Sequence, residues 1–258
     1  MSESCSTENR RACVEVRELR KSFGANEVLK NIDFDIYCGE IFVIMGPSGS
    51  GKSVLLKQLI GLEHPTSGKV LIDGHSIDSP ELLEKYRIAM VFQSGALLSS
   101  LSVAENVGLY LREHRLKKPD EIDRIVRDKL AIVGLTGAED KMPTELSGGM
   151  KKRVAIARAL VMDPQLILYD EPTSELDPLI SVTIGQEIVK MRNRTRATSI
   201  VVTHDRDLGF GIADRMALIR NGELLALGSP EDVRNSTNPE VQTFLNASYQ
   251  PPEETAAT

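Results

Sequence analysis

Glycines, serines and a lysine in one short segment form a pattern that is typical of phosphate binding. Residues 46–53 read GPSGSGKS and fit G-x-x-x-x-G-K-[ST], with the apolar run Ile41–Met45 before them and a helical run after them. Small residues let the backbone approach a phosphate closely, and N–H groups at the start of the helix bind its charge. Lys52 is expected to contact the β- and γ-phosphates, and the Ser53 hydroxyl to bind Mg²⁺. The alternative is a glycine-rich turn that binds nothing. The residues expected to bind the nucleotide here are Gly46, Pro47, Ser48, Gly49, Ser50, Gly51, Lys52, Ser53 and Val54.

Two carboxylates follow a second apolar run, residues 166–169, which reads LILY. Ligands of open α/β sheets bind beyond the carboxyl ends of the strands, so Asp170 and Glu171 are expected to face the phosphates. Asp170 is expected to hold Mg²⁺ through water, and Glu171 to polarise the attacking water as general base. A strand that simply ends in a solvated Asp-Glu pair is the alternative.

A third motif, LSGGM at residues 146–150, precedes a helix that is expected to begin near Lys151. Ser147, Gly148 and Gly149 would form another anion-binding helix N-terminus. The chain therefore has one Mg²⁺-nucleotide loop but two helix ends suited to phosphate.

Composition limits the class of protein that can carry these motifs. The 258 residues suggest one large domain or a domain with a subdomain, at roughly 150 residues per domain. Lys and Arg total 31 against 37 Asp and Glu, a net charge of −6 that argues against a nucleic-acid binder. The apolar runs are far below the ~18 residues of a membrane-spanning helix, and no secretory signal begins the sequence. We therefore expect a soluble protein in the cytoplasm.

Two further groups of residues are interpreted as having no special chemistry. Cys5, Cys13 and Cys38 are odd in number and lack CxxC spacing, so the expectation is three reduced thiols, without a disulfide or a zinc site. The basic residues 151–153 are expected to form a solvated helix face or a partner contact, not a nucleic-acid site.

Strand and helix signals alternate along the chain and predict an α/β fold with a largely parallel sheet. Helical patterns replace strands from about residue 98 to 163, which indicates a helical subdomain inserted into the sheet domain. One of its helices is expected to begin at Pro119 and to end at Gly134. The expected strands cover residues 13–19, 34–37, 41–45, 70–72, 88–92, 166–169, 200–202 and 216–219.

LSGG upstream of the carboxylate pair, together with the phosphate loop, resembles the ATP-binding subunit of an ABC transporter. The resemblance implies a P-loop NTPase with a RecA-like sheet core, an N-terminal β subdomain and an inserted α-helical subdomain. It implies ATP and Mg²⁺ as cofactors, and a head-to-tail homodimer in which the LSGG of one copy closes over the ATP of the other. It also implies integral-membrane permease subunits as partners, with the chain peripheral on the cytoplasmic face of the inner membrane. The expected boundaries are a flexible N-terminus at 1–12, the nucleotide-binding domain at 13–248 and a disordered tail at 249–258.

The resemblance also assigns roles to isolated residues. Phe23 matches the aromatic residue that stacks on adenine, with a core phenylalanine as the alternative. Gln93 matches the glutamine that reaches Mg²⁺ and the attacking water and senses the membrane subunit. His204 matches the switch histidine that contacts the γ-phosphate. Asp177 lies in the loop that crosses the dimer seam, where Glu175 is bulkier than the usual residue.

A finer resemblance concerns residues 92–98, 111–114 and 239–246 and the LSGGM variant, whose Met150 replaces the usual glutamine. These look like the branch that powers phospholipid transport with mammalian-cell-entry (MCE) proteins, the maintenance-of-lipid-asymmetry type of bacterial envelopes. An MCE-domain protein would then be part of the complex. The alternatives are an ABC importer or exporter of another small substrate, a soluble non-transport ABC ATPase, and a regulatory module without catalysis.

Residues 94–115 are expected to receive the permease, because they follow Gln93 and carry more apolar positions than one amphipathic helix needs. The alternative places those positions in the core of the helical subdomain. The apolar positions are Leu98, Leu101, Val103, Val107, Leu109 and Leu111.

Overall fold

The computed structural model describes residues 11–247, in which helices and two β-sheets alternate. The strands are Ala12–Phe23 (β1), Asn26–Tyr37 (β2), Ile41–Met45 (β3), Ser67–Ile72 (β4), His75–Ser76 (β5), Ile88–Val91 (β6), Leu166–Asp170 (β7), Thr198–Thr203 (β8), Arg215–Arg220 (β9) and Glu223–Gly228 (β10). The helices are Lys52–Leu59 (α1), Pro80–Lys85 (α2), Val103–Glu113 (α3), Pro119–Ile132 (α4), Gly148–Leu160 (α5), Pro178–Thr195 (α6), Arg206–Ile212 (α7), Pro230–Arg234 (α8) and Pro239–Leu245 (α9), with a 3₁₀ turn at Pro143–Glu145.

A six-stranded sheet, in the order β10-β9-β3-β8-β7-β6, forms the centre of the molecule. All neighbours in it are parallel except β10, which is antiparallel to β9. Every residue of β3 and β8 is buried, because helices cover one face of the central sheet while a second sheet and α1 cover the other. This explains why the runs at 41–45 and 200–202 are continuously apolar, and it confirms the predicted parallel sheet.

The second sheet is antiparallel, in the order β2-β1-β4-β5. Its long strands β1 and β2 pack inward-facing side chains onto the central sheet, where the rings of Phe34 and Phe42 stack with centroids 5.2 Å apart. Leu55 and Leu56 of α1 belong to the same apolar cluster. The helix that follows the phosphate loop is thus held between the two sheets.

The helical segment lies between β6 and β7 and consists of α3, α4, the 3₁₀ turn and α5. Helix α4 begins at Pro119, as predicted, and buries Ile122, Val126 and Leu130 on one face. That face joins the main apolar cluster with residues of α3 and α5, which fixes the segment against the sheet domain.

The structure divides the apolar positions of residues 94–115 between the two interpretations. Val103, Val107 and Leu111 are buried in the core, so the expectation that they contribute to an exposed surface is wrong. Leu98 is 46% exposed. The spacing in α3 repeats the period of a helix, and its first turn carries a capping box between Ser102 and Glu105, so this part packs as a core helix.

Cys13 and Cys38 form a disulfide, so the expectation of reduced thiols is wrong for this pair. The antiparallel pairing of β1 and β2 brings the two residues together although they are 25 positions apart, with 5.0 Å between their Cα atoms. Nothing in the spacing of the cysteines indicates a strand pairing. Cys5 lies outside the described residues.

The two ends of the chain fall outside the described range for the most part. Strand β1 begins at Ala12, and helix α9 ends at Leu245. Of the predicted flexible N-terminus at 1–12, residues 1–10 lie outside the described residues, and so does the whole of the predicted disordered tail at 249–258. Among residues 11–247, none of the helices is both long and apolar enough to cross a membrane.

Candidate nucleotide-binding and catalytic site

Four neighbouring strands of the central sheet deliver the predicted site to one edge. In the order β3, β8, β7 and β6, their carboxyl ends lead into the phosphate loop, His204, the Asp170-Glu171 pair and Gln93. The strands are in parallel register, with Met45 opposite Thr203 and Asp170 opposite Val202. Ligands of open α/β sheets bind at such an edge.

The phosphate loop wraps closely around the side chain of its own lysine. The Lys52 ammonium is buried and donates to the carbonyl oxygens of Gly46 at 2.8 Å and Pro47 at 3.0 Å. Burial lowers the pKa of Lys52. Gly51 has a φ of 99°, and a Cβ there would lie 2.8 Å from Leu29 Cδ2, so the loop requires glycine before the helix.

The carboxylate pair and the histidine lie beside this lysine. Glu171 Oε1 is 3.9 Å from Lys52 Nζ, and Glu171 Oε2 is 2.9 Å from His204 Nδ1. The His204 backbone N–H also donates to Glu171 Oε2 at 3.2 Å. Glu171 has a φ of 45°, a left-handed conformation that is uncommon outside glycine and often marks functional sites. The sequence-predicted lysine, glutamate and histidine therefore form one contact chain.

Burial raises the pKa of Asp170, and the neighbouring charge of Glu171 raises it further. The charged form of Asp170 is therefore costly in the unliganded chain. Its Oδ1 atom is buried without a hydrogen-bond partner within residues 11–247, and so is the Ser50 Oγ atom of the phosphate loop.

The residues present fit a triphosphate and a divalent cation. A buried carboxylate oxygen and a buried hydroxyl, both without partners in the described chain, suit Mg²⁺ and a phosphate oxygen. The neutral carbonyl oxygens that hold the Lys52 ammonium are weaker partners for it than phosphate oxygens, because phosphate oxygens carry negative charge.

Gln93 lies at the same edge and contacts Lys152, a residue whose position the sequence analysis did not predict. The Gln93 side chain is exposed, and its main-chain carbonyl oxygen accepts a hydrogen bond from the Lys152 ammonium. Lys152 is 6% exposed, so the expectation of a solvated basic face is wrong for this residue. It lies three positions after Gly149 and four before Ile156, both buried, and this helical spacing is the signal that could have revealed it.

The LSGG motif lies at the start of helix α5, which begins at Gly148, three residues before the predicted start near Lys151. Ser147 Oγ caps the helix by accepting from the Met150 N–H at 3.3 Å. Gly149 packs so closely on α6 that a Cβ would lie 2.6 Å from Ile180 Cγ2. Asp177 caps α6 by accepting from two backbone N–H groups at 3.0 Å.

Phe23 is the last residue of β1. Its ring is 49% exposed, with the Lys21 ammonium 4.8 Å from the ring centroid. The ring is therefore not part of the core, and it remains open to stacking. Within residues 11–247, no hydrogen bond or ion pair joins Phe23 or Ser147 to the lysine, glutamate and histidine described above.

Comparison with protein families gives a match over residues 29–174 to the ABC transporter family model. A curated relative, the "Probable ribonucleotide transport ATP-binding protein mkl" of Mycobacterium leprae, is 44% identical over 237 residues, which are 90% of this chain and 68% of that protein. The "Protein TRIGALACTOSYLDIACYLGLYCEROL 3, chloroplastic" of Arabidopsis thaliana is 40% identical over 259 residues, with coverage of 93% and 75%. The chain thus spans about two thirds of the mycobacterial relative's length.

A solved structure with a similar fold is described as a dimeric post-hydrolysis state of the ATP-binding cassette MJ0796 bound to ADP and Pi. It matches with a TM-score of 0.75 and 34% identity, covering 84% of this chain and 98% of that one. The phosphate loop, the carboxylate pair and the LSGG motif all lie in a fold shared with a nucleotide-bound protein.

The raised pKa of Asp170 predicts a specific pH dependence of stability. Between the ordinary value of 3.8 and the raised value, Asp170 is more protonated in the folded chain than in the unfolded chain, so its contribution to stability falls as pH rises through that window. Asp170→Asn is therefore expected to raise the free energy of unfolding of the nucleotide-free chain at pH 7, with a gain that shrinks toward pH 4. Urea unfolding at several pH values measures this, with the exposed Asp128→Asn as the matched control. A lower stability of Asp170→Asn at pH 7 would contradict the assignment.

Proposed function

The chain belongs to the ABC transporter ATP-binding family, and we propose that it hydrolyses ATP with Lys52, Gln93, Glu171 and His204. One observation supports this most directly. The carboxyl ends of four neighbouring parallel strands bring the phosphate loop, Glu171, His204 and Gln93 together, with Lys52, Glu171 and His204 in one chain of contacts. A regulatory module would not need this set.

Each residue has a distinct part in the proposed reaction. Lys52 binds the β- and γ-phosphates through its ammonium. Glu171 accepts a proton from the water that attacks the γ-phosphorus, and ADP leaves. His204 is held against the Glu171 carboxylate and orients that base. By its match to the switch histidine of the family, His204 also contacts the γ-phosphate. Gln93 orients the attacking water.

We propose Ser53, Gln93 and Asp170 as the residues that hold Mg²⁺, with Asp170 acting through water. Mg²⁺, when bound, neutralises the charge of the phosphate oxygens. The unpartnered Asp170 oxygen and the position of Ser53 at the start of α1 support this set.

The rest of the nucleotide site is proposed to come from two copies of the chain. Phe23 stacks on the adenine of the ATP bound by its own copy. Ser147, Gly148 and Gly149 contact the γ-phosphate held by the other copy, with Asp177 at the seam. Two features support this head-to-tail arrangement: within residues 11–247 no hydrogen bond or ion pair joins Ser147 to Lys52, and a similar cassette is described as dimeric.

We propose that the functional unit of one copy is a nucleotide-binding domain over residues 13–248, with its helical subdomain at about 98–163. It works on the cytoplasmic face of the inner membrane, bound to integral-membrane permease subunits. The proposed permease contact is the exposed apolar part of the segment after β6, where Phe92 is 39% and Leu98 46% exposed. The core positions of α3 are excluded from it.

For the transported substrate, we propose phospholipids, with an MCE-domain protein in the complex. The sequence features of residues 92–98 and LSGGM support this branch, as does the likeness to a plant protein whose printed name contains that of a galactolipid. A second candidate is a ribonucleotide, which the printed name of the mycobacterial relative favours.

The role of Glu171 as general base can be tested by Glu171→Gln, which keeps the size of the side chain but removes the base. The ATPase rate is expected to fall by roughly 10²–10⁴ while ATP still binds. Lys52→Ala is the comparison, because it removes charge from the phosphate site and should weaken equilibrium binding of a fluorescent ATP analogue. Turnover of Glu171→Gln within about threefold of wild type would exclude the assignment.

The head-to-tail arrangement predicts complementation between two inactive variants. A mixed dimer of Ser147→Arg and Lys52→Ala chains contains one site with both defects and one intact site. The mixture is therefore expected to hydrolyse ATP faster than either variant alone. A control mixture of each variant with wild type measures how far one site depends on the other. No gain over the single variants, where that control shows independent sites, would argue against the arrangement.

The permease contact predicts that Leu98→Asp releases the membrane subunits and leaves the chain folded and able to bind ATP. Leu116→Asp is the matched control, since Leu116 is 52% exposed but lies between α3 and α4. Co-purification from membranes measures retention of the permease. Full retention of the permease by Leu98→Asp would place the contact elsewhere.

A further inference from the structure

Lys152 joins three parts of the site that the sequence keeps far apart. Its ammonium donates to the main-chain carbonyl oxygen of Gln93. It also lies 3.5 Å from the main-chain carbonyl oxygen of Glu171 and 3.4 Å from Ser174 Oγ. Gln93 follows β6 and Glu171 follows β7, so the ammonium spans the carboxyl ends of two neighbouring strands. It does so from helix α5, which begins at Ser147.

The neighbouring residue shows that this position is specific. Lys151 precedes Lys152 on the same helix, is partly exposed, and makes no side-chain hydrogen bond or ion pair within residues 11–247. Successive residues of a helix point about 100° apart around its axis, so Lys152 lies on a different face from Lys151. The face of Lys152 is the one that also buries Gly149 and Ile156. The two adjacent lysines thus differ in burial and in hydrogen bonding.

Burying the Lys152 ammonium costs desolvation free energy that an apolar side chain at this position would not cost. Burial lowers the pKa of Lys152, while the charges of Glu175, Asp170 and Glu171 raise it in part. An ammonium has three donors and can bind several acceptors that converge from different segments. The acceptors here are the main chain of the two residues proposed to handle the attacking water, and a hydroxyl in the loop that leads to Asp177.

A second cation on the same helix holds the next residues of the same loop. Arg158 donates to the carbonyl oxygens of Gly95 at 2.8 Å and Ala96 at 2.7 Å. Gly95 and Ala96 both have positive φ, of 73° and 46°, so this turn is one that outside contacts must stabilise. Helix α5 therefore holds the loop after Gln93 at two points, and Lys152 is the point that also reaches Glu171.

We propose that Lys152 is a positioning residue for ATP hydrolysis: it fixes the main chain of Gln93 relative to that of Glu171 and ties both to the helix that begins with LSGG. The inference rests on the proposed function. Because that helix start is proposed to serve the partner's nucleotide, Lys152 links the water-activating pair of one site to the motif that completes the other.

The test is a series at this position in the full chain: Lys152→Arg, Lys152→Gln and Lys152→Met, with Lys151→Met as the matched control. We expect Lys152→Met to lower kcat by about tenfold to a hundredfold, because small displacements of positioning groups have large effects on rate. KM for ATP and the affinity for a fluorescent ATP analogue stay within about twofold, since the phosphate loop is untouched. Lys152→Gln, which keeps N–H donors, retains more activity than Lys152→Met, and Lys152→Arg, which keeps donors and charge, retains most of it.

Hydrogen exchange gives a readout that does not require turnover. Amides of residues 92–98 in the nucleotide-free chain are expected to exchange faster in Lys152→Met, and at the wild-type rate in Lys151→Met. The inference is overturned if Lys152→Met keeps kcat within about twofold of wild type, or if KM rises at unchanged kcat. If the methionine variant fails to fold, the comparison of glutamine with arginine decides in the same terms.

Failure of the proposed function would look different. A wild-type chain without ATPase activity, or a Glu171→Gln chain as active as wild type, would exclude the catalytic assignment. Faster exchange at residues 92–98 in Lys152→Met would still show that Lys152 holds this segment.

Discussion

Parallel pairing of β3, β8, β7 and β6 is the constraint from which the site follows. In a parallel sheet all carboxyl ends lie at one edge. Strand pairing alone therefore brings residues from four distant parts of the sequence to the same edge. The register is set by buried apolar runs such as Ile41–Met45, whose side chains must be covered on both faces. The polar residues that follow these runs are placed as a consequence of burying the runs.

This dependence explains how much of the molecule could be predicted from the sequence. A buried parallel strand has a strong signal, so β3 and β7 were located to within a residue, and with them the phosphate loop and the carboxylate pair. The start of α4 was also predictable, because proline and two acidic residues suit the first turn of a helix. The antiparallel sheet was the harder part. Only fragments of β1 and β2 show a strand pattern, and their pairing, which produces the disulfide, has no local signal.

Charged residues inside the fold were the other part that the sequence did not show. Lys152 and Lys151 have the same side chain, and only the phase of helix α5 distinguishes the buried lysine from the partly exposed one. Lys52, Asp170 and Lys152 all carry burial costs in the unliganded chain, visible as pKa values displaced toward the neutral forms. Natural sequences depart from the rule of apolar interiors at functional sites, and these three residues lie at one edge of the central sheet.

The anchoring of the segment between β6 and α3 has a mechanical consequence. The Asn106 side chain is fully buried and hydrogen-bonds the backbone of Leu98, Leu101 and Ser102, while Arg158 binds the turn at Gly95 and Ala96. Both anchors are helices of the inserted segment. The segment that carries the exposed Leu98 side chain is therefore hydrogen-bonded to both α3 and α5. A partner that displaces Leu98 would move these two helices with it, because the segment cannot bend independently of them.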